Sequence, residues 1–320
     1  MRILISGGAG FIGQHLVRRL KQFQHDVWVI DNLSSGPRRC EHRPWINADI
    51  SDPSSLNGIP KIDLFYNLAC PASPPEYQRQ PTATLDACYM GTKNMLKAAL
   101  VHKAVIVQAS TSEIYGDPIG HGLKVQNEDY WGNVNSMGPR SCYDEGKRVA
   151  ETLCYEWRTQ YGVDSRVARI FNTFGPGMPA SDGRVVSNFA HQLVNELPIT
   201  IYGTGKQTRS FCYVDRLVDM LVNIGFAKTW DGLPMNIGDA SQLSMADLAN
   251  KMKQIYTSHF GSPYRASCPL VFQDAPKDDP AQRLPDLSRY IAAFGPVASK
   301  VSLDEGLLRT MKWMKESQGK

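Results

Sequence analysis

Residues 2–6 (RILIS) run without a break into Gly7-Gly8-Ala9-Gly10-Phe11-Ile12-Gly13. A short β-branched run, then glycines at 7, 10 and 13, then an amphipathic stretch constrains this chain more than any other feature. Glycines so placed let the backbone turn tightly and approach a pyrophosphate. The helix that follows offers free N–H groups and a positive dipole end to the anion. Asp31 closes the second strand-like run, where an acid accepts hydrogen bonds from adenosine ribose hydroxyls and repels a 2′-phosphate. The pattern therefore predicts NAD rather than NADP. Asp49 is a further candidate, for the adenine edge.

Around that junction the first 170 residues alternate β-branched runs with amphipathic segments. Strands are predicted at 2–6, 26–31, 62–67, 104–109 and 165–171, and helices at 11–23, 81–101 and 141–161. Strands alternating with helices of that length imply right-handed βαβ units and a doubly wound parallel sheet, an α/β fold. After Asn172 the pattern loosens, with proline and glycine clustered at 175–183. Two regions are expected: 1–171 binding the cofactor and 172–320 forming a smaller, irregular substrate lobe. Part of about 207–238 is expected to fold back onto the first region. No apolar run approaches 18 residues, which argues against a membrane span. A net charge of +4 without a basic block argues against nucleic acid.

The seven cysteines lie at least 12 residues apart, with no C-x-x-C, and the histidines show no H-x-x-x-H. Zinc-type spacing is absent, so no metal is expected. An odd, scattered set reads as reduced thiols serving as small core residues in a cytoplasmic protein. A strand that starts at residue 2 predicts no leader or anchor.

Tyrosine and lysine at i, i+4 share a helix face, so the ammonium can lower the phenol's pKa. Three such pairs occur: Tyr89/Lys93, Tyr143/Lys147 and Tyr202/Lys206. Chance yields about 0.65 from 13 tyrosines and 16 lysines, so spacing alone selects none. Tyr202/Lys206 encloses Gly203 and Gly205, which disfavour a helix. Tyr89/Lys93 lacks a polar strand end ahead of it. Tyr143/Lys147 alone follows a strand ending in Ser110-Thr111-Ser112-Glu113. That order gathers a hydroxyl, a carboxylate and a phenol at the carboxyl ends of adjacent strands, where open α/β sheets bind ligands.

These residues sit in longer blocks. They are Asn67-Leu-Ala-Cys-Pro-Ala-Ser-Pro74, Ser110-Thr-Ser-Glu-Ile-Tyr-Gly-Asp-Pro118, Tyr130-Trp-Gly-Asn-Val-Asn135 and Gly138-Pro-Arg-Ser-Cys-Tyr-Asp-Glu-Gly-Lys-Arg148. Arg169-Ile-Phe-Asn-Thr-Phe-Gly-Pro176, Asp182-Gly-Arg-Val-Val-Ser-Asn188 and Gln207-Thr-Arg-Ser-Phe-Cys-Tyr213 follow. With them the chain resembles the extended short-chain dehydrogenase/reductases that act on nucleotide sugars, and within these the UDP-glucuronic acid decarboxylases, or UDP-xylose synthases. The resemblance spans nearly the whole chain and weakens after about residue 240. It implies a Rossmann-like fold, retained NAD and a UDP-sugar substrate. It also implies a homodimer packed through the 81–101 and 141–161 helices. Thr111-Ser112-Glu113 is the decarboxylase form of a triplet that usually reads Thr-Asp-Glu in related 4,6-dehydratases and lacks the glutamate in 4-epimerases.

The resemblance assigns Tyr143 as base and Lys147 as its partner, which also contacts the nicotinamide ribose. Thr111 or Ser112 steadies the C4 oxygen, and Glu113 serves water or proton positioning near C5. Cofactor contacts extend from Gly7, Gly10, Phe11, Ile12 and Gly13 to Asp31 and Asn32. Asp49 and Ile50, and then Leu68 and Ala69, complete them. Asn172 and Arg209 fall on the UDP portion, and Arg283 near the diphosphate and sugar. An NAD-retaining 4-epimerase or 4-keto-forming oxidase is the nearest other reading, and a silent NAD-binding scaffold a third. The chain departs from the family at Asp86, where a lysine is expected near the sugar acid, and at Gly177, where an arginine is usual. It departs also at Arg216, at Phe294-Gly-Pro296 and in a longer 119–127 loop.

Overall fold

The computed structural model describes residues 1–35, 40–117, 122, 124–261, 268–275, 282–297 and 300–319. Part of the longer 119–127 loop thus lies outside the described residues. Seven parallel strands form the central sheet. In chain order the first are β1 (Arg2–Ser6), β2 (Asp26–Ile30), β3 (Trp45–Ile46), β4 (Leu64–Asn67), β5 (Val105–Thr111) and β6 (Ser165–Ile170). The spatial order is β3-β2-β1-β4-β5-β6, and a strand from the C-terminal half completes the far edge. Strands β1, β4 and β5 are almost entirely buried, as strands covered on both faces must be.

Helices cover both faces: α1 (Phe11–Gln22), α2 (Pro74–Arg79), α3 (Pro81–Asp86), α4 (Thr92–His102) and α5 (Ser141–Tyr161). Helix α5 has the predicted bounds and ends at Gly162, whose φ of +69° is a left-handed cap suited to glycine. The single helix predicted at 81–101 is instead α3, a π-helical turn over Ala87–Gly91, and α4. The wide turn lets Gly91 rest on Ile50, where a Cβ would fall 2.6 Å from Ile50 Cδ1. Inside the sheet Ser6 Oγ donates to Asn67 Oδ1 (2.6 Å), and Asn67 Nδ2 to Gln108 Oε1 (2.7 Å). That buried polar seam fixes the register of β1, β4 and β5.

Beyond β6 the chain builds small sheets. β7 (Thr173–Phe174) pairs in parallel with β10 (Cys212–Tyr213), and β8 (Ile199–Tyr202) with β13 (Leu270–Gln273). β9 (Thr208–Ser210) is flanked by antiparallel β12 (Gln242–Ser244) and parallel β14 (Gln282–Arg283). Helices α6 (Val185–Val194), α7 (Val214–Phe226), α8 (Met245–Phe260), α9 (Ser288–Phe294) and α10 (Leu303–Ser317) pack around them. Between α7 and α8, β11 (Met235–Ile237) returns to the main sheet and pairs in parallel with β6. One continuous apolar core runs from Ile3 and Ile5 through Leu217 and Leu221 to Leu307 and Met311.

Candidate active site

At the carboxyl end of β1 the glycine loop meets the start of α1. Gly7 has φ +71°, and a Cβ there would lie 2.8 Å from Ala69 N and Leu68 C. A Cβ on Gly13 would drive into Gly7 O and come within 2.7 Å of Gly8 Cα. Gly10 caps α1 with no side-chain hydrogen bond and no acid follows in the first turn, so that turn's N–H groups are left to an anion. Asp31 accepts from Ala9 N–H (3.0 Å) and Leu33 N–H (2.8 Å), tying the end of β2 to the loop. Burial raises its pKa and those two hydrogen bonds oppose the rise. Asn32 Nδ2 donates to Asp49 Oδ2 at 2.8 Å, and Ile50 is buried beneath Gly91. This cradle fits a dinucleotide: backbone donors for the pyrophosphate, no Cβ at Gly7, Gly10 or Gly13, and a carboxylate beyond β2 for ribose.

From the loop a cleft of about 970 Å3 runs between sheet and lobe. Gly7, Gly10, Phe11, Ile12, Gly13 and Leu68 line one end. Thr111, Ser112, Glu113, Tyr143, Lys147, Asn172, Arg209 and Arg283 line the rest. Asp31, Asn32, Asp49, Ile50 and Ala69 lie outside that lining.

The reactive centre rests on β5 and α5. Thr111 ends β5 and caps the 3-10 turn Ser112–Tyr115, accepting from Glu113 N–H at 3.3 Å. Thr111 also hydrogen-bonds the Tyr143 phenol. One turn along α5, Lys147 Nζ donates to Ala109 O at 3.0 Å and stands 5.7 Å from the Tyr143 ring centroid. Tyr77 stacks on Tyr143, with centroids 5.0 Å apart and planes 9° from parallel. Burial pushes the Tyr143 phenol up to about 12, while the Lys147 ammonium and Thr111 pull it down. Desolvation works to lower Lys147, but Cys70 and Tyr143 nearby leave it raised, so it is a firm cation.

Glu113 is held from two sides. Arg283 Nη2 donates to its Oε2 at 2.7 Å, and Arg140 Nη2 donates to the same oxygen. Arg140 also faces Asp144 at 3.5 Å. All four side chains are about one-tenth exposed. Asp144, pressed by burial and by Glu113, has a pKa raised far above the carboxylate range. Across the cleft Arg184 forms a two-pronged pair with Asp182, with one contact at 2.7 Å. Burial works against its charge, yet Asp182, Tyr143 and Glu113 hold it raised. Arg209 and Arg283 are register partners across β9 and β14.

Several placements go beyond the sequence reading. Arg283 lines the cleft and also reaches Glu113. Arg140 and Arg184, which stand in the sequence blocks, and Tyr77, just beyond Asn67–Pro74, also line the cleft. The signal for Arg140 is its position one helical turn before Tyr143. Asp86 is exposed at the end of α3 and is not among the residues lining the cleft. Gly177 does line the cleft, with φ +91°, and a Cβ there would lie 3.8 Å from Phe11 and His15. Arg216 pairs with Asp239 at 2.6 Å. Six cysteines are buried, as expected, whereas Cys70 is half-buried in the cleft.

The profile of the NAD dependent epimerase/dehydratase family matches residues 3–238. UDP-glucuronic acid decarboxylase 1 of Xenopus tropicalis is 43% identical over 326 residues, which are 98% of this chain and 72% of that protein. UDP-glucuronic acid decarboxylase 3 of Arabidopsis thaliana is 43% identical over 316 residues, 96% of this chain and 87% of that protein. Among solved structures, UDP-glucuronic acid 4-epimerase from Bacillus cereus, in complex with UDP-glucuronic acid and NAD, superposes with a TM-score of 0.83 at 25% identity. That superposition covers 99% of this chain and 100% of the epimerase.

Proposed function

The chain belongs to the NAD-dependent epimerase/dehydratase family, and from that premise we propose that it decarboxylates UDP-glucuronic acid to UDP-xylose. When bound, NAD would supply reversible acceptance of one hydride from sugar C4. Gly7, Gly10, Gly13 and the start of α1 hold its pyrophosphate, and Asp31 its ribose. Tyr143 takes the proton leaving the C4 hydroxyl, with Lys147 and Thr111 favouring the phenolate. The ketone so formed makes the C6 carboxylate that of a β-keto acid. Thr111 and Ser112 hold the C4 oxygen while the C5–C6 bond breaks, CO2 departs and the electron pair passes into an enolate. Glu113, fixed by Arg140 and Arg283, positions the proton that C5 then receives. Tyr143 returns its proton to the C4 oxygen as the ketone is reduced. Acid–base help of this kind contributes roughly 10²–10⁴ in rate.

One observation carries this reading: Glu113 clamped by two guanidiniums in the cleft that Tyr143 lines. Epimerisation changes only C4 and has no use for a charged device serving C5. Decarboxylation leaves C5 in need of a proton. For substrate grip, Asn172, Arg209 and Arg184 serve the UDP portion, since planar guanidinium suits phosphate.

We further propose a homodimer. Leu85, Tyr89, Met90 and Tyr155, all large and exposed, lie on α3, the π turn and α5. A cytoplasmic location is our reading of seven free cysteines, and among the described residues no helix is long and apolar enough to cross a membrane.

The test is one incubation of purified protein with UDP-glucuronic acid and NAD, followed by mass spectrometry. A product lighter by CO2 supports the proposal, and a 4-keto pentose differs from UDP-xylose by two further hydrogens. An isomer of unchanged mass would make the chain an epimerase. No turnover of any nucleotide sugar would leave an NAD-binding scaffold.

A further inference from the structure

The mechanism leaves one nucleophile in the cleft unused. Cys70 lies three residues beyond the end of β4 and lines the cleft along with Tyr143 and Lys147. Its Sγ is 3.4 Å from Sγ of Cys88, which is buried on the π turn between α3 and α4. Cys88 has no room to retreat, because α5 backs it at Gly146, where a Cβ would fall 3.1 Å from its Sγ. Wider spacing in the π turn is what brings this side chain inward. The hydrogen bond from Cys88 draws the pKa of Cys70 down against burial, and the Lys147 ammonium adds to it. Cys70 is thus the member with thiolate character, the nucleophilic form. Cys142, the third thiol in this corner, turns its Sγ to Tyr77 O at 3.6 Å and is engaged elsewhere.

We propose that Cys70 and Cys88 are an oxidation site in which Cys70 attacks a peroxide entering the cleft and Cys88 then closes a disulfide, reversibly disabling the enzyme. The steps balance. The Cys70 thiolate displaces hydroxide from hydrogen peroxide to give a sulfenic acid, and the hydroxide takes up a proton as water. The Cys88 thiol then attacks that sulfur, forms the S–S bond and releases a second water. Two thiols are oxidised by two electrons and one peroxide is reduced. A reducing dithiol reverses the change.

Closing the bond brings the sulfurs from 3.4 Å to about 2.05 Å. Cys70 is joined directly to Leu68-Ala69, the backbone on which Gly7 rests at 2.8 Å in the sense of its missing Cβ. Cys88 abuts Gly146, the residue before Lys147. The disulfide therefore draws together two segments that position the phosphate loop and the catalytic lysine. It also removes the negative charge that Cys70 sets beside Lys147. Displacements of this size at a reacting centre cost on the order of 100-fold in turnover.

The test treats the full chain with hydrogen peroxide, blocks remaining thiols by alkylation and maps tryptic peptides without reduction. Cys70 and Cys88 fall on separate peptides, 62–79 and 80–93, each with one cysteine. The expected product is those two peptides joined, lighter by two hydrogens than the reduced pair. Decarboxylase activity should fall on the order of 100-fold and return with dithiothreitol. In Cys88→Ala the basal activity should persist and the linked peptides should vanish. Peroxide should then carry Cys70 on to the sulfinic acid, and the loss should no longer reverse. Cys70 joined to Cys142, or Cys70 oxidised in the unaltered chain with no link to Cys88, would overturn the proposal. So would a Cys88→Ala variant that still loses and regains activity like the parent. The mapping needs no assumption about substrate, so its failure is distinct from a failure of the decarboxylase reading, on which the activity measurement rests.

Discussion

Replacing Glu113 by glutamine keeps the side chain's shape and removes one negative charge from between two arginines. At 2.7 Å and an effective dielectric of about 20, each Glu113–guanidinium attraction is about 6 kcal/mol before desolvation is charged against it. The measurable loss is smaller, because the amide oxygen still accepts a hydrogen bond. Breaking a buried pair and leaving its partner uncompensated costs about 3–5 kcal/mol, and Glu113→Gln should fall near the lower figure. For a chain of this length about 3 kcal/mol lowers Tm by roughly 4–5 °C. A second consequence runs the other way. Arg140 and Arg283, freed of their carboxylate, should attract the doubly anionic diphosphate and the sugar acid more strongly. Binding of UDP-glucuronic acid should tighten about tenfold, near 1.4 kcal/mol. Turnover should nonetheless fall by roughly 10²–10⁴. Thermal unfolding with and without ligand, titration calorimetry and steady-state rates measure all three. If the variant melts within about 1 °C of the parent and binds ligand no better, Glu113 is not an ionised hub and the clamp argument is wrong.

Tyr143→Phe should keep the stack on Tyr77 and bind NAD normally, yet lose turnover by about 10³-fold or more; near-normal rates would remove Tyr143 as base. Gly13→Ala forces a Cβ into backbone at Gly7 and Gly8 that has no flexible neighbour to yield, costing about 1–3 kcal/mol of stability and most NAD affinity. Calorimetry that found parental NAD binding would refute that steric reading. Asp144→Asn tests the raised carboxyl. With its pKa lifted to about 7 by burial and then by Glu113, Asp144 keeps its proton in the folded state where the unfolded chain has lost it. The penalty for ionising it grows as pH rises from about 4 and is complete above about 7. The variant should therefore gain stability relative to the parent across that window. Denaturant titrations at the two ends that show a constant difference would contradict it.

The parallel sheet and helix α5 were readable because their signals are local. A glycine loop at a strand–helix junction, period-two and period-3.6 patterns, and a glycine stop at 162 each lie within a few residues. That Tyr143, Lys147, Thr111 and Glu113 meet in one cleft was readable for the same reason, with motif context choosing among three equally spaced pairs. The π turn at 87–91 was not, since the place where Gly91 rests is Ile50, far away in sequence. Nor was the charge hub. Arg283 lies 170 residues from Glu113, and nothing in the periodicity of either segment announces that they meet. Asp86, a conspicuous change of charge near the motifs, sits where α3 ends on the exposed side, a placement its sequence neighbours do not announce. The cysteines, 18 residues apart, looked independent until the turn folded one against the other.

The route of the chain has a mechanical consequence. It leaves the sheet after β6, builds the lobe through α7, and returns as β11 on the sheet's edge. It departs again to form α8, and comes back when α9 packs beside β11. A second tie joins the segments around Gln126 and Leu284, which exchange backbone hydrogen bonds at 2.8 and 2.9 Å. Two bodies joined by a single strand of chain swivel like a ball joint. Two bodies stitched along several parallel crossings behave like a piano hinge, free about one axis and stiff about the others. The walls of this cleft are stitched in that second way, and Arg283, bonded to Glu113 and next to Leu284, belongs to the seam, with Arg209 beside it across β9 and β14.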